Sequence, residues 1–320
     1  MATLNMIDRL TALEAVNRAQ QPDAFLIIEA LLQTNQILMD MPIIEANDGA
    51  IHTTVRRTSQ PGGSHRVYNQ GVNIKASQTK TIKDTIAMLE AYSVVDKAMA
   101  AHSGNTAALR NSEAVAFING MGINQAFDLI YGNMAQDPAA IDGLAVRLNK
   151  LNGKTVVGMG GTGATNTSAY LVAAGPNFSH LIYPRGSSSI GVNRNDLGEQ
   201  IWEDDEGKKF QALVEHFTAQ YGLVSRHPEA VVRIANIGPS ATGAAIVDQV
   251  LASYRRMPRG AANYILFANP DVLIKIDKEA RDKVNVAHTA QDPWGREITM
   301  IRDIRCRQVD AILSTEATVA

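Results

Sequence analysis

Gly158-Met-Gly160-Gly-Thr-Gly163 spells G-x-G-x-x-G directly after the apolar run Lys154-Thr-Val-Val. Such a loop, closing a strand and opening a helix, can cradle a pyrophosphate on backbone N–H groups. The context here runs against that chemistry. Ala164-Thr-Asn-Thr-Ser168 follows, then an apolar run ending at Gly175-Pro176, so no helix is predicted to offer its N-terminus. The ribose-binding acid belongs about 20 residues further on, where Tyr183-Pro-Arg-Gly186 stands instead. The residues read as a glycine-rich loop between strands. A nucleotide-dependent oxidoreductase built on Gly158 remains the alternative. Gly153-Lys154-Thr155 resembles the end of a P-loop, but Leu148 occupies the place of its first glycine.

Other reactive residue types are sparse. Asp204-Asp205-Glu206 could hold a divalent cation, yet adjacent carboxylates fit a solvated turn better than a metal loop. Cys306 is the single cysteine, which excludes an intrachain disulfide and a Cys-rich zinc site. It lies on an apolar strand pattern and reads as a buried structural thiol. No G-x-S-x-G occurs, and Ser187-Ser-Ser189 reads as a flexible loop. The histidines are scattered. No catalytic, cofactor-binding or metal residue is assigned, and the chain reads as a non-enzyme without a cofactor.

The strongest local signal is electrostatic. Between Asp48 and Asp84 there is no acid, while Arg56, Arg57, Arg66, Lys75, Lys80 and Lys83 all fall there. Gly62-Gly63 predicts a tight primed turn, which would set Gln60 against His65, Thr58 against Val67 and Arg56 against Asn69. Val55, Val67 and Tyr68 are nearly the whole apolar content of this hairpin, and an isolated one of that kind is marginal in water. The segment Gly49 to Asn73 therefore reads as an arm that gains order on a neighbouring chain. Its candidate intersubunit contacts are Arg56, Arg57, Arg66 and Tyr68. The acidic, turn-rich block from Asp196 to Glu206, with Asp204, Asp205 and Glu206, is the candidate acceptor.

The totals bound the rest. At 320 residues, two domains or one elaborated domain fit. A net charge of −2 argues against general nucleic-acid affinity, and 5% aromatic content argues against base stacking. No stretch is apolar enough to span a bilayer, and the opening MATLNMIDRLTALEAV lacks the basic start and apolar block of a secretion signal. Helical periodicity predicts helices over Leu4 to Val16 and from Pro22 to before Pro42. It predicts a long one over Asn105 to Tyr131, stopping at Gly132-Asn133. Gly120 and Gly122 inside that helix predict a bend or a close helix contact. Residues 155 to 238 read as β-rich. Ala241 to Arg256 reads as a helix, Tyr264 to Asn269 as a buried strand and Asp271 to Arg281 as a short helix. Terminal strands are predicted near Ile298 to Ile301 and Ile304 to Leu313. The class is α+β.

Several phrases resemble a known family. Thr167-Ser-Ala-Tyr-Leu-Val, Gly175-Pro-Asn, His180-Leu-Ile-Tyr-Pro-Arg-Gly, Gly191-Val and Asp196-Leu-Gly-Glu occur in order. Tyr221-Gly-Leu and Val231-Val-Arg-Ile-Ala-Asn-Ile continue the run. Met41-Pro-Ile-Ile-Glu-Ala-Asn-Asp-Gly, Val94-Val-Asp-Lys and Arg307-Gln-Val-Asp-Ala-Ile-Leu-Ser-Thr-Glu-Ala extend the similarity to roughly residues 37 to 317. Together they resemble the major capsid proteins of short-tailed double-stranded DNA phages of the epsilon-fifteen group.

The resemblance implies a Hong Kong 97-type fold. It would comprise an N-terminal arm (1–47), an E-loop hairpin (48–83), a peripheral domain with a spine helix and β-rich elaboration (84–240), and an axial domain (241–320). It implies self-assembly into hexamers and pentamers of an icosahedral virion shell around packaged DNA, put together in the bacterial cytoplasm. A portal protein and scaffolding or decoration proteins are implied partners, and a membrane is not. A smaller phage structural ring protein is a further alternative.

Overall fold

A computed structural model describes residues 36–186, 192–204, 206–261, 263–282, 288–291 and 297–320. The helix expected over Leu4 to Val16, the second expected helix as far as Asn35, and Ser187 to Ser189 lie outside the described residues. In chain order come helix α1 (Gln36–Asp40), ending before Pro42, and strands β1 (Ile43–Glu45), β2 (Ile51–Ser59), β3 (Gln78–Thr85) and β4 (Ala87–Asp96). Helices α2 (Lys97–His102), α3 (Thr106–Tyr131) and α4 (Leu144–Arg147) follow. Next are β5 (Val156–Gly158), β6 (Thr167–Ala174), β7 (Ser179–Tyr183), β8 (Asn193–Glu203), β9 (Lys209–Ser225) and β10 (Val231–Ile237). The last third holds α5 (Gly243–Arg256), β11 (Asn263–Ala268), α6 (Pro270–Asp282), β12 (His288–Gln291), β13 (Glu297–Ile301) and β14 (Ile304–Gln308).

The chain forms two compact units. The first takes in 88–125 and 190–220, and the second takes in 35–87, 126–189 and 221–320.

In the first unit β8 and β9 form an antiparallel hairpin, with Trp202 opposite Phe210 and an irregularity after Asp196. Successive strand residues face opposite sides, and Leu213, Glu215 and Phe217 of β9 share the side that meets helices. Phe217 stacks on Phe117 of α3, centroids 5.3 Å apart. Leu213 packs on the small core of Val95, Ala100 and Leu109. Asp96 starts α2 as its N-cap, its carboxylate accepting from Ala98 N at 2.7 Å. The segment Asp196 to Glu203, expected as turn-rich, is the strand β8. Its side chains are nearly all exposed, so no apolar alternation marks it as a strand.

The second unit is built around β6 and β10, buried along their whole length. β6 pairs antiparallel with β10 on one side and β11 on the other, and β11 continues parallel to β14. Ala169, Leu171 and Ala173 face α5 and α6, packing with Val232, Ile234, Ile246, Val250, Val272 and Ile276. Thr242 caps α5. Gly243 lets the two helices touch, because a Cβ there would lie 2.2 Å from the carbonyl of Lys275. Cys306 of β14 belongs to this core, and burial pushes its thiol up to about 12. The final strand is shorter than expected, ending at Gln308.

The long helix lies within one residue of its expected span. Gly132 ends it, since a Cβ would come 2.4 Å from the carbonyl of Ile141. The close contact expected at Gly120 and Gly122 is absent among the described residues: a Cβ at either would meet nothing within 4 Å.

Candidate assembly surfaces

The hairpin of the basic stretch is real, but its register is not the one the turn signal predicts. β2 pairs with β3, setting Ile51 against Thr85, Thr54 against Ile82 and Arg56 against Lys80. Neither Gly62 nor Gly63 takes a positive φ, so no primed turn forms there. The reason lies in the strands. Residues 64–77 break up Val67, Tyr68, Val72 and Ile74 with Ser64, Asn69, Gln70, Gly71 and Asn73, whereas 78–85 carries no Gly, Asn or Ser and offers Thr79, Thr81, Ile82 and Thr85, which suit a pleated surface. Residues 60–77 are left as a wholly exposed tip. Tyr68 is 90% exposed and Ile74 fully so.

Alternation splits the cations. His52, Thr54 and Arg56 share one face of β2, with Lys80, Ile82 and Asp84 opposite them. On this face Thr54 and Asp84 are buried. Arg56 donates from Nε to the carbonyl of Arg226 at 2.9 Å and from Nη2 to that of Ser225 at 2.6 Å. Arg56 therefore seats the hairpin root on its own subunit and does not sit at the tip. Arg57 and Lys83 fall on the other face with Val55, which is 55% exposed. Among the described residues no carboxylate pairs with Arg57 or Arg66.

The acidic block proves largely engaged within its own unit. Asp196 meets Arg110 at 2.6 Å, and that guanidinium, with Gly198 N–H, holds its carboxyl below the usual range. Glu199 meets Lys97 at 2.8 Å, and Glu203 lies 3.7 Å from Lys209. At the β8–β9 turn the Asp204 carboxylate accepts from the N–H groups of Glu206 and Lys208, which makes it a turn residue. Glu206 pairs with Lys208 in an exposed ion pair. Asp205 lies outside the described residues.

Three buried charge sites were not legible as sites. Glu215, 2% exposed, accepts a bidentate bond from Arg194 at 2.7 and 2.8 Å and pairs with Arg110 at 2.6 Å. An acid at an inward position of β9 demands such cations, and that was the available signal. Asp84 pairs with Arg147 at 2.8 Å. Arg233 of β10 meets Glu316 at 2.9 Å. The same carboxylate accepts from Ser168 and, at 2.5 Å, from Tyr131 at the end of the long helix. Burial and the adjacent Glu316 raise the Tyr131 phenol well above its ordinary value.

The glycine-rich loop leads into β6 rather than a helix, and its backbone groups serve the chain's last residues. The Gly163 carbonyl accepts from Thr318 Oγ1 at 2.9 Å and from Asn166 at 3.0 Å. The Asn236 side chain pairs with both backbone groups of Val319, at 2.8 and 2.9 Å. A Cβ at Gly161 would stand 2.6 Å from the carbonyl of Asn236. The glycines here allow strand, loop and tail to approach closely.

Known proteins share this fold. The family model "Major capsid protein GP7" matches residues 20–320. The structure of bacteriophage Epsilon15 superposes with a TM-score of 0.77 at 28% identity, covering 99% of both chains. The bacteriophage JBD30 capsid shares the fold, with a TM-score of 0.50 at 10% identity over 88% of this chain and 90% of that one. No curated protein sequence matches. A two-unit α+β chain with a long helix and a projecting basic hairpin is the Hong Kong 97-type capsid fold, and this chain belongs to the GP7 family of major capsid proteins, the subunits that assemble the icosahedral shell of the phage virion.

Proposed function

We propose that the hairpin is the arm by which one subunit overlaps the next. The observation that carries this is the tip itself: residues 60–77 expose Val67, Tyr68, Val72 and Ile74 among cations with no acid between Asp48 and Asp84. Such a segment gains apolar burial only from another surface. Arg57, Arg66 and Tyr68 are its contact residues, with Arg56 holding the root. The acceptor is the β8–β9 turn of a neighbour, at Asp204, Asp205 and Glu206. Its exposed pair with Lys208 is worth about 0–1 kcal/mol, so exchanging partners there is inexpensive.

In this reading residues 84–240, with the long helix, form the peripheral domain and residues 241–320 the axial domain, gathered near the axes of hexamers and pentamers. The chain has no catalytic turnover. The shell assembles in the bacterial cytoplasm with a portal protein, and with scaffolding or decoration proteins where present, and encloses double-stranded DNA.

The test is charge reversal along the arm. Arg57→Glu with Arg66→Glu should leave the circular dichroism of the subunit unchanged while sedimentation shows a sharp loss of particles. Normal particle yield from that pair would remove the hairpin from the assembly contacts.

A further inference from the structure

Two histidines at the hairpin root have no part in the reading above. His52 on β2 and His180 on β7 meet edge to face, ring centroids 5.6 Å apart and planes at 84°. His180 is 2% exposed, and neither of its ring nitrogens finds a well-formed hydrogen bond. Nδ1 of His52 is unpartnered as well. A neutral imidazole brings a single N–H donor and no charge into that space. A charged one would be buried with two N–H donors and no well-placed acceptor for them.

The surrounding charges deepen the effect. Arg226 follows β9, and the Arg56 guanidinium is anchored on the carbonyls of Ser225 and Arg226. Asp84, across from His52 on β3, is the nearby acid, and Arg147 holds it at 2.8 Å. Asp84 pulls the proton affinity of His52 upward, but burial outweighs it and the affinity is lowered. For His180, burial, then His52, then Arg226 push the pKa down to about 4, and the opposing pull of the Gly175 backbone does not offset them.

We propose that His180 is an acid-sensitive latch: neutral, it lets β2 and the hairpin root close on β7, and protonated, it releases them. Its native pKa lies below that of a free imidazole, about 6.5. The latch is therefore at full strength above that value and weakens as pH falls from about 6.5 toward 4. Below that window it changes no further. The latch stands whether or not the hairpin tip carries the intersubunit contacts.

Hydrogen exchange of the full-length protein, followed by mass spectrometry and corrected for the chemical exchange rate, reads the latch directly. Between pH 7 and about pH 4.5, protection of residues 51–59 and 179–183 should fall on the order of 50-fold. The core strand at 231–237 should change little. His180→Phe should abolish the response. If His180→Phe responds like the wild type, the sensor is a group other than His180 and the proposal fails. It fails equally if the wild type shows no change, or if all three segments lose protection together. Imidazole C2-hydrogen exchange on the wild-type protein needs no variant. A His180 midpoint well below 6.5 supports the latch, and one at the free-imidazole value overturns it.

Discussion

Glu316 neutralises an arginine that has no other acid beside it among the described residues. Arg233 and Glu316 are 5% and 7% exposed, so Glu316→Ala would strand a buried guanidinium among Tyr170, Ser168 and the carbonyl of Leu148. Breaking a buried pair from one side typically destabilises by about 3–5 kcal/mol, while an apolar replacement of both partners is often neutral. Guanidinium unfolding of the subunit should show that loss for Glu316→Ala, and Arg233→Met with Glu316→Leu should regain most of it. A single-variant loss below about 1 kcal/mol would mean that water reaches the site. Cys306 offers a second check at this scale. Its thiol is buried and its pKa pushed up to about 12, so a thiol reagent near neutral pH should label the folded protein far more slowly than the unfolded one. Equal rates would show that β14 frays.

The long helix carries a prediction of its own. Glycine inside a helix is about 1 kcal/mol worse than alanine, and a Cβ at Gly120 would meet nothing within 4 Å among the described residues. Gly120→Ala should stabilise the isolated subunit by roughly 0.5–1 kcal/mol, measured as a shift in unfolding midpoint. If it instead lowers particle yield while stabilising the subunit, a neighbour approaches that helix face in the shell.

Helical elements were the ones written most plainly. Ala116, Ile123, Phe127 and Ile130 repeat at helical spacing, and Gly132 marks the stop because the chain folds back against it. The apolar blocks of β6, β10 and β11 announced themselves through composition, because strands buried on both faces need no alternation. The hairpin misled because Gly62-Gly63 is a strong local signal, whereas its partner strand lies beyond an exposed tip and is chosen by the threonines and Ile82 of β3. The β8 strand misled for a related reason: its charges pair with Arg110 and Lys97, distant in sequence, so they looked like a solvated turn. Glu215 and Glu316 were invisible as sites because nothing local names the arginine each will meet.

At the scale of the whole subunit, net charge is close to balance at −2, yet the balance is uneven. The described carboxylates of β8 and its turn are mostly paired internally, while Arg57 and Arg66 have no carboxylate partner among the described residues. Uncompensated charge on an exposed arm acts at a distance of about 8–10 Å at ordinary ionic strength. It steers encounter more than it supplies affinity, because each exposed pair formed contributes only about 0–1 kcal/mol. Salt should therefore act on rate before it acts on yield. Light scattering of purified subunits should show the initial assembly rate falling several-fold as salt rises, roughly following the shrinking screening length. On the proposal that Tyr68 and Ile74 seat on a neighbour, the final particle mass should change less, since apolar burial is insensitive to screening. Neutralising the arm with Arg57→Gln and Arg66→Gln should lower the low-salt rate and flatten its salt dependence, leaving the subunit fold intact. Unchanged salt dependence in that variant would place the steering charge elsewhere on the subunit, and a larger loss of yield than of rate would show that these arginines hold the shell together rather than guide it.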